Sequence, residues 1–212
     1  MKLLYKEWAL AAHPTLYIFT LLGCLVMVPA YPYTVIFMFG CLAPYITFTY
    51  ARETNDAFYT ATLPVTKRDI VKAKCMLLMS VQLGQLLISI PFALLRETVG
   101  IAPNPVGMDP NAAWYGIGLI IYGGFDLVFL PTYYRSGYKA GRAFTLAMIP
   151  VILIMATAEV SAHIPALAFL KGDNFDCMMR RLPLLGCGIL LYIAAMAAAF
   201  RISARRFDRV DL

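Results

Sequence analysis

Charge is scarce in this sequence. Of its 212 residues only 14% are Asp, Glu, Lys or Arg, while 61% are hydrophobic and the mean hydropathy is +0.71. Soluble domains carry about 25% charged residues, so an ordinary soluble fold is excluded and a polytopic membrane protein is expected. Histidine is rarer still, with only His13 and His163. The cysteines at 24, 41, 75, 177 and 187 form no CxxC and no His/Cys ligand spacing, so neither a metal site nor a disulfide framework is supported. The phosphate-binding pattern GxxxxGK[ST] is missing, which leaves the chain no visible means of binding ATP. A GxSxG-type elbow is missing too, and there are no paired carboxylates, so an intramembrane enzyme ranks last among the possible functions. The net charge of +6 is spread between apolar segments, so a nucleic-acid reading is dropped.

What the sequence does have is apolar runs. Thr15 to Ala51 is nearly uncharged and too long for one span of ~20 residues. Pro29-Ala30-Tyr31-Pro32 divides it, giving helices over 15–30 and 33–51 joined by a tight outer turn. Both are close to the minimum spanning length, so one is expected to tilt or to lie partly in the interface. Pro44 is expected to kink the second. A third span covers 67–95, with Pro91 near its outer end. A fourth covers 113–134, where Gly116, Gly118, Gly123 and Gly124 permit close helix contact. The fifth covers 143–161, with Pro150 in its middle, and the sixth 183–200. Between the last two lies a mixed outer segment, 162–182, which reads either as a loop or, through Ile164 to Leu170, as a re-entrant piece.

Orientation follows from the basic residues. With both termini inside, Arg96, Lys171, Arg180 and Arg181 are the only four of the 18 Lys and Arg left outside. Lys and Arg concentrate on the cytoplasmic side, so the expected fold is an all-α membrane protein with six transmembrane helices and both ends cytoplasmic. The start MKLLYKEWALAAHP is too polar to span and has no small-residue cleavage site behind it, so no signal peptide is expected. At 100° per residue Lys2, Lys6 and His13 share one narrow face, and Leu4, Tyr5, Trp8, Ala11 and Ala12 the other. Residues 1–14 therefore read as an amphipathic helix lying in the interface, with Trp8 at headgroup level and His13 on the polar face.

The longest polar interruption of the first half is RETNDAFYTATLPVTKRDIVKAK, Arg52 to Lys74. Glu53, Asn55 and Asp56 lead into Phe58 and Tyr59, Leu63-Pro64-Val65 breaks the chain, and Thr66 with Asp69 forms a capping box ahead of the apolar run from Ile70. The run LPVTKRDIVKAK resembles the signature after the first cytoplasmic loop of ABC-2 type transporter permeases, the short six-helix kind. YYRSGYKAGR, Tyr133 to Arg142, is similar to a second recurrent stretch of that family. The resemblance covers nearly the whole chain.

It implies a coupling helix over about Glu53 to Thr62, within a coupling loop at 52–69, that docks on a separate ABC ATPase subunit. Glu53, Asn55, Asp56, Phe58, Tyr59, Leu63, Pro64, Lys67 and Arg68 would make that contact. It further implies two cytoplasmic ATPase copies, which carry the ATP and magnesium, and a second permease subunit, identical or related, in a bacterial cytoplasmic membrane. The cargo would be a small hydrophobic or amphipathic molecule such as a peptide, antibiotic or lipid, moved by export. No cofactor is expected in this chain itself.

Two acidic residues stand inside or near spans. Asp126 lies within the fourth, where a charge costs roughly 2.5–3.5 kcal/mol, so it must face a partner or water. It reads either as a point on a substrate path or as a helix-packing hydrogen bond. Glu159 is nearer the outer interface, where it reads either as a hydrated side chain or as a second polar point on a substrate path. The alternative function is an ATP-independent ion- or proton-linked transporter or channel subunit with Asp126 as the coupling group.

Overall fold

The computed structural model describes residues 2–171 and 175–208. It is an all-α membrane protein. Helix α1 (Lys2–Lys6) runs on as a π-helical turn, Glu7–Ala11, and α2 (Pro14–Leu21) runs on as a 3₁₀ stretch, Leu22–Met27. Then follow α3 (Val35–Glu53), α4 (Asp56–Ala61), α5 (Lys67–Val99), α6 (Ala112–Arg135), α7 (Ala140–Ser161) and α8 (Phe175–Phe207). Among the described residues five helices, α3 and α5 to α8, are long and apolar enough to cross a membrane by themselves. The segments Leu3–Ala11 and Pro14–Met27, bent by 96°, supply a sixth only if counted together.

The bend and the short first span have local causes. His13 is extended (ψ 144°), as the residue before a proline must be, and Pro14 opens α2 where its missing N–H is not needed. His13 is therefore not a polar-face residue of the first helix but the N-cap of the second, its Nδ1 accepting from the Thr15 N–H at 3.3 Å. Beyond Leu21 the chain tightens to 3₁₀ where Gly23 meets the backbone of α5: a Cβ there would lie 2.5 Å from the Gln85 carbonyl. Residues 14–27 then rise about 24 Å, short of the ~30 Å hydrocarbon core.

Helix α6 is the axis of the bundle. Of its apolar window 72% is buried, against 22% for α7 and for α8. Trp114, Tyr122, Phe125 and Phe129 are fully buried along it, and the ring of Phe37 of α3 lies tilted against Trp114, 4.4 Å between centroids. Of the four glycines expected to permit close contact, Gly118 meets Phe37 of α3 and Gly124 meets Ile154 of α7, while Gly116 and Gly123 lie against α8, where Gly116 faces Gly188 backbone to backbone. A Cβ on Gly116 would lie 2.7 Å from the Leu184 carbonyl. Helix α8 is longer than the apolar run at 183–200 alone implies, because it begins at Phe175, takes in the charged turn through Arg181, and continues to Phe207. Pro165–Leu170 forms a short 3₁₀ turn before it.

The capping box appears as read: the Asp69 N–H donates to Thr66 Oγ1 and the Thr66 N–H to Asp69 Oδ2, both at 3.2 Å. At the other end of α5 Gly100 adopts the left-handed conformation (φ 72°) that closes a helix.

Substitution at the α6–α8 contact tests this packing. Gly116→Leu forces a side chain into backbone and is expected to cost about 1–3 kcal/mol or more, lowering the thermal midpoint in detergent by several degrees. Gly141→Ala, where nothing lies within 4 Å, is expected to change nothing. Equal behaviour of the two variants would refute the close approach.

Candidate functional site

At the end of the bundle where α3 stops and α5 starts, four charged side chains meet out of water. Lys6 and Glu7 come from the N-terminal segment, Asp56 from the first turn of α4, and Lys74 from the third turn of α5. They are 8%, 0%, 8% and 5% exposed. Lys6 Nζ donates to Glu7 Oε1 at 3.0 Å and to Asp56 Oδ1 in a short contact. Lys74 Nζ lies 2.5 Å from Glu7 Oε2 and donates to Asp56 Oδ2 at 2.9 Å. Each ammonium thus touches both carboxylates, and the formal charges cancel. Thr60, one turn after Asp56, accepts from Lys6 at 2.7 Å and donates to the Asp56 carbonyl at 2.7 Å. Lys74 also stands 5.5 Å from the centre of the Phe48 ring.

Sequence periodicity placed Lys6 on a solvated face, and the structure places it inward. Beside the adjacent Glu7, the partners that hold it, Asp56 and Thr60, are some fifty residues away along the chain, which a helical wheel cannot register. The roles of Glu7 and Lys74 are hidden in the sequence for the same reason. Tyr5 and Leu10, on the far side of the same segment, are 76% and 66% exposed.

The six-residue α4 has two faces. Asp56 and Thr60 point into the cluster, whereas Tyr59 is 54% exposed. The side chain of Phe58 lies outside the described residues. Asn55 bends the chain between α3 and α4 in the left-handed region (φ 51°), which asparagine tolerates. Glu53 falls one helix earlier than the resemblance implies, as the last residue of α3. Thr62 and Pro64 are exposed and Leu63 is half-buried at the corner into α5. Lys67 Nζ lies 5.7 Å from the ring centre of Phe207, and Arg68 pairs with Asp208 at 3.7 Å across exposed surface. These contacts join the corner to the end of α8. Phe207 in turn packs on Tyr134 and Tyr138, and Ala51, Asp56, Ile70, Lys74, Tyr133 and Tyr134 border the same narrow cleft.

Asp126 and Glu159 are brought neither to this cluster nor to each other. Asp126, fully buried in α6, accepts from Gln82 Nε2 at 2.9 Å, and Gln82 Oε1 accepts from Tyr192 at 2.9 Å. Its Oδ2 has no hydrogen-bond partner among the described residues. Glu159 is not simply hydrated: it is half-buried against Gly107 and accepts from the Thr34 hydroxyl at 2.5 Å. That end of the bundle is organised instead by Arg96, counted from the sequence as a loop residue. Arg96 is 4% exposed at the end of α5, donates to Tyr33 and to the Ala102 carbonyl, and pairs with Asp109 at 2.9 Å.

Burial opposes ionisation of Asp56, but Lys74 and Lys6 outweigh it and hold the carboxyl below its ordinary range. A depressed folded-state value means that its stabilising contribution is complete above the unfolded value of about 3.9 and is lost as pH falls through the lower folded one. Asp56→Asn leaves two ammonium groups facing one carboxylate, and breaking a buried pair in this way typically costs about 3–5 kcal/mol. Thermal unfolding is expected to rank wild type above Asp56→Asn/Lys74→Met and that above Asp56→Asn alone. The gap between wild type and Asp56→Asn should hold from pH 7 to 5 and shrink below about pH 4. Strictly additive losses in the double variant would dissolve the cluster as a unit.

The family model described as ABC-2 family transporter protein matches residues 2–207. No curated protein and no solved structure matches the chain. The motifs at 52–74 and 133–142, the absence of a phosphate-binding loop from the sequence, the set of membrane-crossing helices and a match over nearly the full length agree. The chain belongs to the ABC-2 family of transporter proteins and is a multi-pass membrane permease subunit.

Proposed function

We propose that this permease works as an exporter driven by a separate ATPase, which docks on α4 and the corner that follows it. On this reading the α4 end faces the cytoplasm of a bacterial cell membrane with both termini inside. Two ATPase copies bind the ATP and magnesium, and a second permease subunit, identical or related, completes the pathway. The cargo is a small hydrophobic or amphipathic molecule, a peptide, antibiotic or lipid-like compound. Asp126 and Glu159 are the polar points available to a path through the bundle.

The observation that carries this reading is the two-faced α4. A six-residue helix is far too short to hold its own shape in water. Here it is fixed from one side by Asp56 and Thr60, tied through Lys74 to a 33-residue helix, and it presents Tyr59 outward. Exposed aromatic residues on a fixed frame are what an interface needs as anchors. A push on that face passes to α5 through buried ion pairs rather than through a flexible loop.

Expression of the tagged chain in its host and recovery in mild detergent tests the docking. A soluble protein with a phosphate-loop ATPase motif is expected to co-purify. Phe58→Ala and Tyr59→Ala are each expected to cut its recovery and its permease-stimulated ATP hydrolysis by about tenfold, the loss of a hot-spot side chain, with membrane insertion unchanged. The unpartnered Oδ2 of Asp126 favours the rival reading, a proton- or ion-linked subunit that ignores ATP. That reading replaces this one if the chain is recovered alone and Asp126→Asn abolishes transport that follows a pH gradient.

A further inference from the structure

Beside the charge cluster, on the flank of α3 rather than inside the bundle, lies a lateral cavity of about 250 Å³ lined by His13, Tyr45, Ile46, Thr49, Tyr50 and Glu53. Five of these six belong to α3 and recur at helical spacing, so they form one face of its last two turns. His13, at the bend before α2, makes the other wall and meets Tyr50 edge to face at 5.3 Å. Tyr45 is stacked on Phe144 of α7 at 4.3 Å, which fixes its ring.

The cavity has the chemistry of a cation site. Glu53 is a carboxylate at the C-terminal end of a helix, the end whose dipole is already negative, and it faces no hydrogen-bond or ion-pair partner among the described residues. A negative charge so placed is unfavourable to the helix itself and favourable to a bound cation. Tyr45 and Tyr50 add aromatic rings to the lining, and aromatic rings attract ammonium groups within about 6 Å and recognise quaternary ammonium in particular. His13 engages Thr15 through its Nδ1, and Arg52, the neighbouring cation in the chain, does not line the cavity. The size is selective too. Complete ligand sites measure about 300–1,000 Å³, so this one takes a headgroup and leaves the remainder of the ligand outside. Its position at the end of a membrane-crossing helix lets an apolar tail run along Ile46 and Tyr45 into the hydrocarbon.

We infer that this cavity binds the organic ammonium headgroup of an amphipathic molecule, with Glu53 as counter-ion and Tyr50 and Tyr45 as its aromatic walls. The ammonium belongs either to an aminophospholipid of the membrane or to a cationic amphiphile brought to the transporter. Both sources share the chemistry and are told apart below. Binding requires no ATPase, so this inference stands or falls separately from the docking of α4.

The test uses the full-length chain in a non-ionic detergent and native mass spectrometry, with dodecyltrimethylammonium as the probe and dodecanol and dodecyl sulfate as neutral and anionic controls. One probe molecule per chain is expected, at least fivefold more tightly held than either control. Glu53→Gln and Tyr50→Leu are each expected to weaken the probe fivefold or more, whereas Tyr50→Phe, which keeps the ring, binds as wild type. Glu53 and Tyr50 are exposed, so these variants are expected to elute as wild type on size exclusion. Displacement by phosphatidylethanolamine and not by phosphatidylglycerol makes the membrane lipid the occupant. Displacement by neither leaves the brought amphiphile as the occupant, with the site intact. Equal binding of dodecyl sulfate, or unchanged binding in Glu53→Gln, overturns the site.

Discussion

Neutrality without water is the constraint on which the α4 end of this protein depends. Two ammonium groups and two carboxylates are withdrawn from solvent there. Taking a single charge into such a place costs several kcal/mol, and only mutual compensation makes it tolerable. The arrangement of Lys6, Glu7, Asp56 and Lys74 compensates twice over, because each cation spans both anions. Three separate pieces of chain must therefore arrive together for any of them to be stable. The N-terminal segment, α4 and the start of α5 lie where they do because no subset of the four charges balances as well as the whole. A buried pair is weak evidence for stability as such, since a well-packed apolar core would serve equally. What the charges supply is a defined geometry for α4, which has too few residues to define its own.

Helix α5 carries that geometry through the bundle. Lys74, Gln82, Gln85, Ser89 and Arg96 follow one stripe of it, and every one is buried and bonded to another element. Lys74 reaches the N-terminal segment and α4. Gln82 reaches Asp126 on α6 and Tyr192 on α8. Gln85 donates to the Phe19 carbonyl of α2 at 2.8 Å and accepts from Tyr122 of α6. Ser89 meets the Tyr115 hydroxyl at 3.0 Å, and Arg96 gathers Tyr33, Ala102 and Asp109 at the opposite end. Apolar helix contacts tolerate sliding, but a row of directional bonds fixes both the rotation and the height of a helix relative to its neighbours.

Local and long-range features of this chain differed in how far they could be read. The apolar runs announced the membrane helices because twenty uninterrupted residues have few other uses, and the capping box at Thr66 and Asp69 was readable because both partners lie within one turn. Close packing at Gly116 followed from composition, although its partner Gly188 did not. The inward turn of Lys6 is hidden, since a wheel drawn on residues 1–14 assigns every charge to water, Glu7 included, and Asp56 and Lys74, which complete the cluster, come from elsewhere. Hydropathy also misplaced the start of α8. The turn containing Asp176, Arg180 and Arg181 fails an apolar test, yet the helix persists there with the Arg181 guanidinium bonded to the Phe169 carbonyl at 2.8 Å. At His13 pre-proline capping and amphipathic patterning make competing claims on one residue, and the backbone decides for the cap.

The unequal burial of the helices says where motion is cheapest. Helix α6 has its neighbours locked to it by tilted and edge-to-face aromatic contacts and by glycine contacts too close to shift without collision. Helix α7 buries little and makes its principal contact with α6 alone, so it has the fewest directional ties to break. The α4 end is different again, because the ion-pair cluster binds α4 to α5 but leaves α4 no hydrogen bond to α6, α7 or α8 among those described. A load on α4 therefore passes inward along α5, whose Gln82, Gln85 and Ser89 attach it to α6 and α8, while Lys6 shares the load with the N-terminal segment. Those attachments sit near Asp126, a buried carboxylate whose Oδ2 has no hydrogen-bond partner among the described residues. A displacement of α5 by even part of a turn would break the Gln82 bond and strand both Asp126 oxygens, a costly state unless water or a ligand enters. The polar stripe thus makes the resting arrangement stable and makes any sliding of α5 all-or-none.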